Sequence, residues 1–131
     1  MGRNGNGPKL LLTTGKRQGV HLLGVSGEVD LAAQPEFREA LEKAVAGANS
    51  PLIIDLSGVR FIDASGFSAL IATQKKMTAR PDKLYVIVNN PFIRQLFSIL
   101  GLDTFFDLRV SVNAALAAAV KARNQGLALA R

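Results

Sequence analysis

The chain has 131 residues, 48% of them hydrophobic, and a formal net charge of +6, which fits a single domain with a core of its own. Because it contains no cysteine, a disulfide framework, a thiolate nucleophile and a cysteine-based zinc site are excluded, and a cytoplasmic protein is expected. Its longest apolar runs are far shorter than the ~20 residues that span a bilayer, so membrane insertion is not expected.

The amino-terminal part of the sequence predicts a tail and then a β-hairpin. Residues 1–9 are polar, glycine-rich and basic, which is typical of a flexible tail and not of a signal peptide. Residues 10–14 and 20–25 have the composition of strands, and residues 15–19 between them are short and turn-prone enough for a hairpin. We therefore expect an antiparallel strand pair at one edge of a sheet.

A helix is predicted over residues 32–46. Pro35 suits its first turn, where the missing backbone N–H of proline costs no hydrogen bond. The apolar residues Phe37, Leu41 and Val45 repeat at four-residue spacing, so they are expected to face the core.

The centre of the chain predicts a strand, a turn and a second helix. Residues 52–56 form an apolar, β-branched run typical of a buried strand, and Ser57 and Gly58 are expected to end it. From Ser65 onward the apolar residues follow a helical period, with Asp63 as the N-cap. A small hydroxyl side chain therefore lies in the first turn of a helix, and the function is expected to depend on it.

The next segment predicts an interior strand over residues 83–88 and a helix that Asn90 and Pro91 open. The inner face of this helix is expected to carry Phe92, Leu96 and Leu100.

The last elements are a strand over residues 105–110 and an alanine-rich helix over residues 113–123, with a flexible tail over residues 124–131. Strands that alternate with single helices predict an α/β domain over residues 10–123. Its mixed β-sheet has about five strands, with about four helices packed against it.

Five short segments, in this order along the chain, resemble the STAS domain family. Gly-Glu-Val-Asp at residues 27–30 is similar to the family's strand-to-helix segment. Asp-Leu-Ser-Gly-Val at residues 55–59 and Phe-Ile-Asp-Ala-Ser-Gly at residues 61–66 resemble its signature. Asn-Asn-Pro at residues 89–91 resembles the turn after its fourth strand, and Ile-Leu-Gly-Leu-Asp at residues 99–103 resembles the segment that joins its third helix to the last strand. The STAS fold is shared by bacterial anti-sigma factor antagonists and the cytoplasmic tails of sulfate transporters.

The resemblance covers about residues 10–120 and implies an anti-sigma factor antagonist that binds an anti-sigma factor serine kinase and so frees a sigma factor. It carries Ser65 onto the phosphorylated serine of these proteins. Phosphorylation would end binding and a serine phosphatase would restore it, with the N–H groups of the helix N-terminus receiving the phosphate. Alternatively, Ser65 only helps to cap its helix, and the chain is a non-phosphorylated STAS scaffold subunit of a transporter or a stress-signalling complex.

The partner surface is expected to include residues around Ser65, namely Asp30, Asp63, Ala64, Gly66 and Phe67. Asp30 is equally well explained as the cap of the helix that follows it, and for Asp63 the capping role is favoured. Ala64 departs from the many relatives that have a second small hydroxyl residue there. Gly66 either lets a partner backbone approach or eases a tight turn. Phe67 would be an apolar anchor if exposed and a core residue if buried.

No catalytic motif accompanies Ser65. Asp63 and Phe67 occupy the two glycine positions of the Gly-x-Ser-x-Gly elbow of serine hydrolases. The only histidine, His21, lies in an apolar strand and is not expected to act as a base. The carboxylates of Asp30 and Asp63 have the chemistry of an acid and base pair, but no other residue builds a substrate pocket around them. We therefore expect a protein that is not an enzyme and needs no metal or cofactor. We also expect a monomer or weak dimer.

The positive charge lies toward the two ends of the sequence. Lysine and arginine residues outside residues 20–120 have no acidic residue beside them, whereas the charges within residues 20–120 nearly cancel. A basic groove is therefore not indicated, and direct nucleic-acid binding is not expected. The basic ends either steer anionic partners toward the protein or are solvated segments that aid solubility.

Overall fold

Strands that are neighbours in the sequence are also neighbours in the sheet, which has the order β1-β2-β3-β4-β5. The structure, a computed structural model, describes residues 10–48, 51–79 and 83–129. Its strands are β1 (Leu10–Arg17), β2 (Val20–Val29), β3 (Leu52–Ile62), β4 (Leu84–Ile87) and β5 (Asp107–Arg109). Its helices are α1 (Gln34–Gly47), α2 (Ala64–Thr78), α3 (Pro91–Ile99) and α4 (Val112–Leu129). β1 is antiparallel to β2, and all other pairs are parallel, so the predicted α/β architecture is confirmed.

The hairpin turn has only two residues, and both lie in the left-handed region of backbone conformation. Gln18 has φ of 52° and Gly19 has φ of 79°, as in the turns whose twist matches that of paired strands. Pairing therefore continues to Arg17 and Val20, and both strands of the hairpin are longer than predicted. The predicted tail over residues 1–9 lies outside the described residues.

The two faces of the sheet are covered by different helices. Side chains alternate along the strands, so Ile54 of β3 packs in the core beneath α1, α2 and α3, while Ile53 packs toward α4. Phe37, Leu41 and Val45 of α1 are buried as predicted. In the described part of the chain, no helix is long and apolar enough to cross a membrane.

The prediction that Ser57 and Gly58 end the third strand is wrong, because β3 continues to Ile62. The register with β2 shifts between the Gly24–Asp55 and Ser26–Gly58 pairs and again between the Gly27–Val59 and Glu28–Phe61 pairs, so β3 has extra residues relative to β2, as at a β-bulge. A serine and a glycine that resemble a turn in the sequence therefore lie at a register shift within the strand and do not end it.

The predicted inner face of α3 is also wrong. Phe92 and Leu100 are 59% and 55% exposed, whereas Ile93 and Phe97 are fully buried. The helix carries two adjacent apolar stripes, and the packing of Phe97 decides between them: its ring lies edge-on against Phe67, with centroids 5.0 Å apart.

α4 is longer than predicted. It continues to Leu129, so residues 124–129 extend the helix and do not begin a tail. Alanine, leucine and glutamine favour helix strongly enough for the chain to pass through Gly126, where glycine costs only about 1 kcal/mol relative to alanine.

Candidate functional site

Ser65 lies at the edge of the sheet where the parallel strands β2, β3 and β4 end. The segments that leave these strands are residues 30–33, 63–65 and 88–90, and we call them together the carboxyl edge. In sheets of this kind such an edge collects functional side chains, because several connections converge there.

Asp63 caps α2 as predicted and holds the Ser65 side chain. The Asp63 backbone is extended, and its Oδ1 accepts hydrogen bonds from the backbone N–H groups of Ser65 at 3.0 Å and Gly66 at 3.4 Å. The same oxygen accepts the Ser65 hydroxyl at 2.5 Å. These two N–H groups are therefore already bound to Asp63, contrary to the expectation that they would receive a phosphate.

Asp63 also joins α2 to the segment that follows β2. Its backbone N–H donates to the Val29 carbonyl oxygen at 3.2 Å, and the backbone N–H of Leu31 donates to its carboxylate. The hydrogen bond from the Ser65 hydroxyl is the main reason why the pKa of Asp63 lies below its ordinary value of 3.8; burial opposes it, and the backbone donors add to it. Asp63 is therefore an ionised acceptor that ties two segments of the carboxyl edge together.

Gly66 is buried where α2 meets the sheet. A Cβ atom at this position would lie 2.7 Å from Val29 Cγ1 and 2.8 Å from Ile62 Cγ1. Close packing of α2 on β2 and β3 therefore explains this glycine without any partner backbone.

Phe67 is a core residue. Its side chain is 5% exposed and packs against Phe97. Its predicted place on the partner surface is corrected accordingly, because a side chain beneath the surface is not available as an anchor. Ala64, in contrast, is exposed in the first turn of α2.

Asp30 closes the turn that precedes α1. Its carboxylate accepts the backbone N–H of Ala33 at 3.0 Å. The N-cap position of α1 is Ala33, so Asp30 is not the cap of that helix. It remains half-exposed at the carboxyl edge, within the segment that the Leu31–Asp63 hydrogen bond attaches to α2.

Sequence reasoning missed the exposed apolar residues of this edge. The Leu31 side chain is 73% exposed, next to the backbone that Asp63 holds. Phe92, whose spacing predicts a place on the inner face of α3, is instead exposed at the start of that helix, just beyond the carboxyl edge. The available signal for Leu31 was an apolar residue in the turn after β2, directly following Asp30, since turns normally carry polar residues.

The described residues contain no group of three or more histidine, aspartate or glutamate side chains that could hold a metal ion. The polar side chains of the carboxyl edge are the Ser65 hydroxyl, the carboxylates of Asp30 and Asp63 and the amides of Asn89 and Asn90, and exposed apolar side chains lie beside them.

Comparison with known proteins agrees with this architecture. The family model of the STAS domain matches residues 12–115. The anti-sigma-F factor antagonist RsfB of Mycobacterium tuberculosis is 32% identical over 107 residues, which cover 82% of this chain and 87% of that protein. An anti-sigma factor antagonist from Mycobacterium paratuberculosis has a crystal structure with a TM-score of 0.79 and 31% identity, over 86% of this chain and 97% of the other. The Bacillus cell fate determinant SpoIIAA, in its phosphorylated form, shares the fold with a TM-score of 0.62 and 18% identity, over 82% and 97%.

The mixed five-stranded sheet with its four helices is thus the STAS fold. Ser65 lies at its carboxyl edge, in the first turn of the helix that Asp63 caps. The chain belongs to the STAS domain family. Its relatives include anti-sigma factor antagonists, and the resemblance found in the sequence is confirmed.

We expect Asp63→Ala to lower the free energy of unfolding by about 1 kcal/mol at neutral pH, because it removes the cap of α2. The Asp63 pKa is lower in the folded state, so this stabilisation is present above its unfolded value of 3.8 and is lost as the pH falls through the folded value. Denaturant titrations at several pH values measure the difference from the unmodified protein. Asp103→Ala, at an exposed position, is the control, and an Asp63 effect that does not change below pH 3.8 would contradict this electrostatic account.

Proposed function

We propose that this protein is an anti-sigma factor antagonist that binds an anti-sigma factor serine kinase while Ser65 is unmodified and is released when Ser65 is phosphorylated. The observation that carries the proposal is the Ser65 hydroxyl, bound to Asp63 at the carboxyl edge of a STAS fold. A serine phosphatase restores the active form. In this cycle the chain is a substrate and not a catalyst, acts as a monomer or weak dimer, and functions in the cytoplasm, where sigma factors direct transcription.

The unmodified surface suits a partner that buries apolar area. Leu31 and Ala64 are exposed beside a hydroxyl whose proton is already engaged by Asp63. Such a surface loses few hydrogen bonds to water when a partner covers it, and an exposed leucine supplies an apolar anchor.

Phosphorylation requires the Ser65 oxygen to attack the γ-phosphorus of ATP held by the kinase with magnesium. An Oγ–P bond forms, the bond from phosphorus to the ADP oxygen breaks, and the hydroxyl proton leaves to a base. The low pKa of Asp63 makes its carboxylate a poor base, so its part is to orient the hydroxyl by accepting its hydrogen bond. The base is then supplied by the kinase.

The phosphate changes the site because it removes a donor and adds about 1.5 to 2 negative charges. In the unmodified protein the Ser65 hydroxyl lies 2.5 Å from Asp63 Oδ1. After phosphorylation Asp63 loses this hydrogen bond and faces the phosphate anion instead. Since Asp63 also holds the backbone of Leu31, movement of its carboxylate displaces the segment that carries the exposed leucine. Like-charge repulsion and loss of the apolar anchor then act together to release the partner.

The alternative is a STAS scaffold subunit, of a transporter or a stress-signalling complex, that has no phosphorylation cycle. A serine with a purely structural role would also bond to Asp63, so this hydrogen bond alone does not separate the two functions. The two functions differ in their response to charge at position 65.

For the switch, Ser65→Ala should bind the kinase within about threefold of the unmodified protein, whereas Ser65→Glu should bind at least about 100-fold more weakly, since a buried like charge in an interface costs several kcal/mol. Isothermal titration calorimetry with the kinase loaded with ADP and magnesium measures both. Ser98→Glu adds the same charge at an exposed position of α3 and should bind normally. Undiminished binding of Ser65→Glu would rule out the switch and leave the scaffold.

Leu31→Ala should weaken kinase binding about 5- to 30-fold, because the side chain is an exposed anchor whose burial the complex would lose. The thermal stability of the Leu31→Ala variant should not change, since the Leu31 side chain is largely exposed in the free protein. Leu11→Ala, at an exposed leucine of β1, is the matched control and should bind normally. Equal affinities for the two variants would remove Leu31 from the interface.

A further inference from the structure

The fold brings together the two end segments of the described chain, neither of which contains an acidic residue. Residues 10–27 and 110–129 contain no aspartate or glutamate. They meet because α4 packs on the sheet face beside the hairpin, where Arg123 Nη1 donates to the Gln18 carbonyl oxygen at 2.9 Å. The basic residues that lie far apart in the sequence therefore share one surface.

This surface is concave. A groove of about 630 Å³ lies between the hairpin turn and α4, and we call it the α4 groove. Arg17 and Lys121 supply positive charge to its lining, side-chain amides come from residues such as Asn113 and Asn124, and Leu116 and Val120 supply apolar area. Its size lies within the range of about 300 to 1,000 Å³ that is usual for small-molecule sites.

The two cations of the α4 groove are available to a ligand. Arg17 and Lys121 are exposed and form no ion pair with another described residue. By contrast, Lys83 and Arg109 on the neighbouring surface both bind Asp107, at 3.0 and 2.7 Å. An anion in the groove would therefore not compete with a resident carboxylate.

The rest of the lining narrows the class of ligand. None of the described lining residues is aromatic, so the groove offers no surface on which a nucleic acid base could stack. Arginine and lysine match a phosphate group, amides match hydroxyl groups as donors and acceptors, and aliphatic side chains suit the C–H face of a carbohydrate. We propose that the α4 groove is a binding site for a small phosphomonoester that carries hydroxyl groups, such as a phosphorylated sugar or polyol.

The test is a titration of the ¹⁵N-labelled protein, followed by amide NMR shifts, with glucose 6-phosphate, ribose 5-phosphate and glycerol 3-phosphate. Glucose and inorganic phosphate are run in parallel. We expect at least one phosphomonoester to give saturable shifts confined to residues 17–18 and 113–125, with an affinity at least about tenfold above that of either fragment. Absence of saturable shifts with all three phosphomonoesters, or equal affinity for inorganic phosphate alone, overturns the proposal.

Paired variants test the location. Arg17→Gln with Lys121→Gln should weaken binding at least about tenfold, while Arg38→Gln with Lys75→Gln, which removes one exposed cation of each type from α1 and α2, should not. Thermal unfolding checks that both variants remain folded. Sedimentation with phosphatidylglycerol vesicles distinguishes a lipid head group from a free phosphate. Vesicle binding that the Arg17 and Lys121 variant loses, without binding of any soluble phosphomonoester, would assign the surface to a membrane and overturn the proposal.

Discussion

The carboxylate of Asp63 is the group on which the rest of the site depends. It caps α2, accepts the Ser65 hydroxyl at 2.5 Å and accepts the backbone N–H of Leu31. A single acceptor is thus shared between the first turn of a helix and the segment after another strand. A chemical change at the serine hydroxyl cannot leave that acceptor, or the segment it holds, unaffected.

The sheet makes this sharing possible. β2 and β3 run parallel and end at the same edge, where the Asp63 N–H donates to the Val29 carbonyl oxygen. α2 can start so close to both strands only because position 66 has no side chain, since a Cβ atom there would lie within 3 Å of Val29 and Ile62. Ser65 is therefore held by backbone packing as well as by its own hydrogen bond.

The sequence correctly predicts the features that depend only on residues close together in the chain. The Asp63 cap depends on neighbouring residues alone, and the buried side of α1 follows from spacing within one helix. The errors arise where contacts with residues distant in the sequence determine which of two locally possible structures forms. Pairing with β2 continues past Ser57, where the register shifts, and reaches Gly58, which pairs with Ser26. Contact with Phe67 determines that Phe97 lies on the buried side of α3. The exposure of Leu31 has the same origin, since only the assembled edge determines what covers it.

The carboxyl edge and the α4 groove lie at different parts of the domain. Ser65 follows the last residues of β3, whereas Arg17 lies beside the hairpin turn that precedes β2. The basic residues of the α4 groove are therefore not among the groups that contact Ser65, whose side chain bonds to the carboxylate of Asp63.

The most direct test of the proposed switch is intact-mass and site-mapping mass spectrometry after incubation with ATP, magnesium and each serine-kinase anti-sigma factor from the same genome. The account predicts one phosphate at Ser65, absent from Ser65→Ala, and release of the kinase that added it. A folded protein that none of these kinases modifies, or that is modified only at another residue, would contradict it.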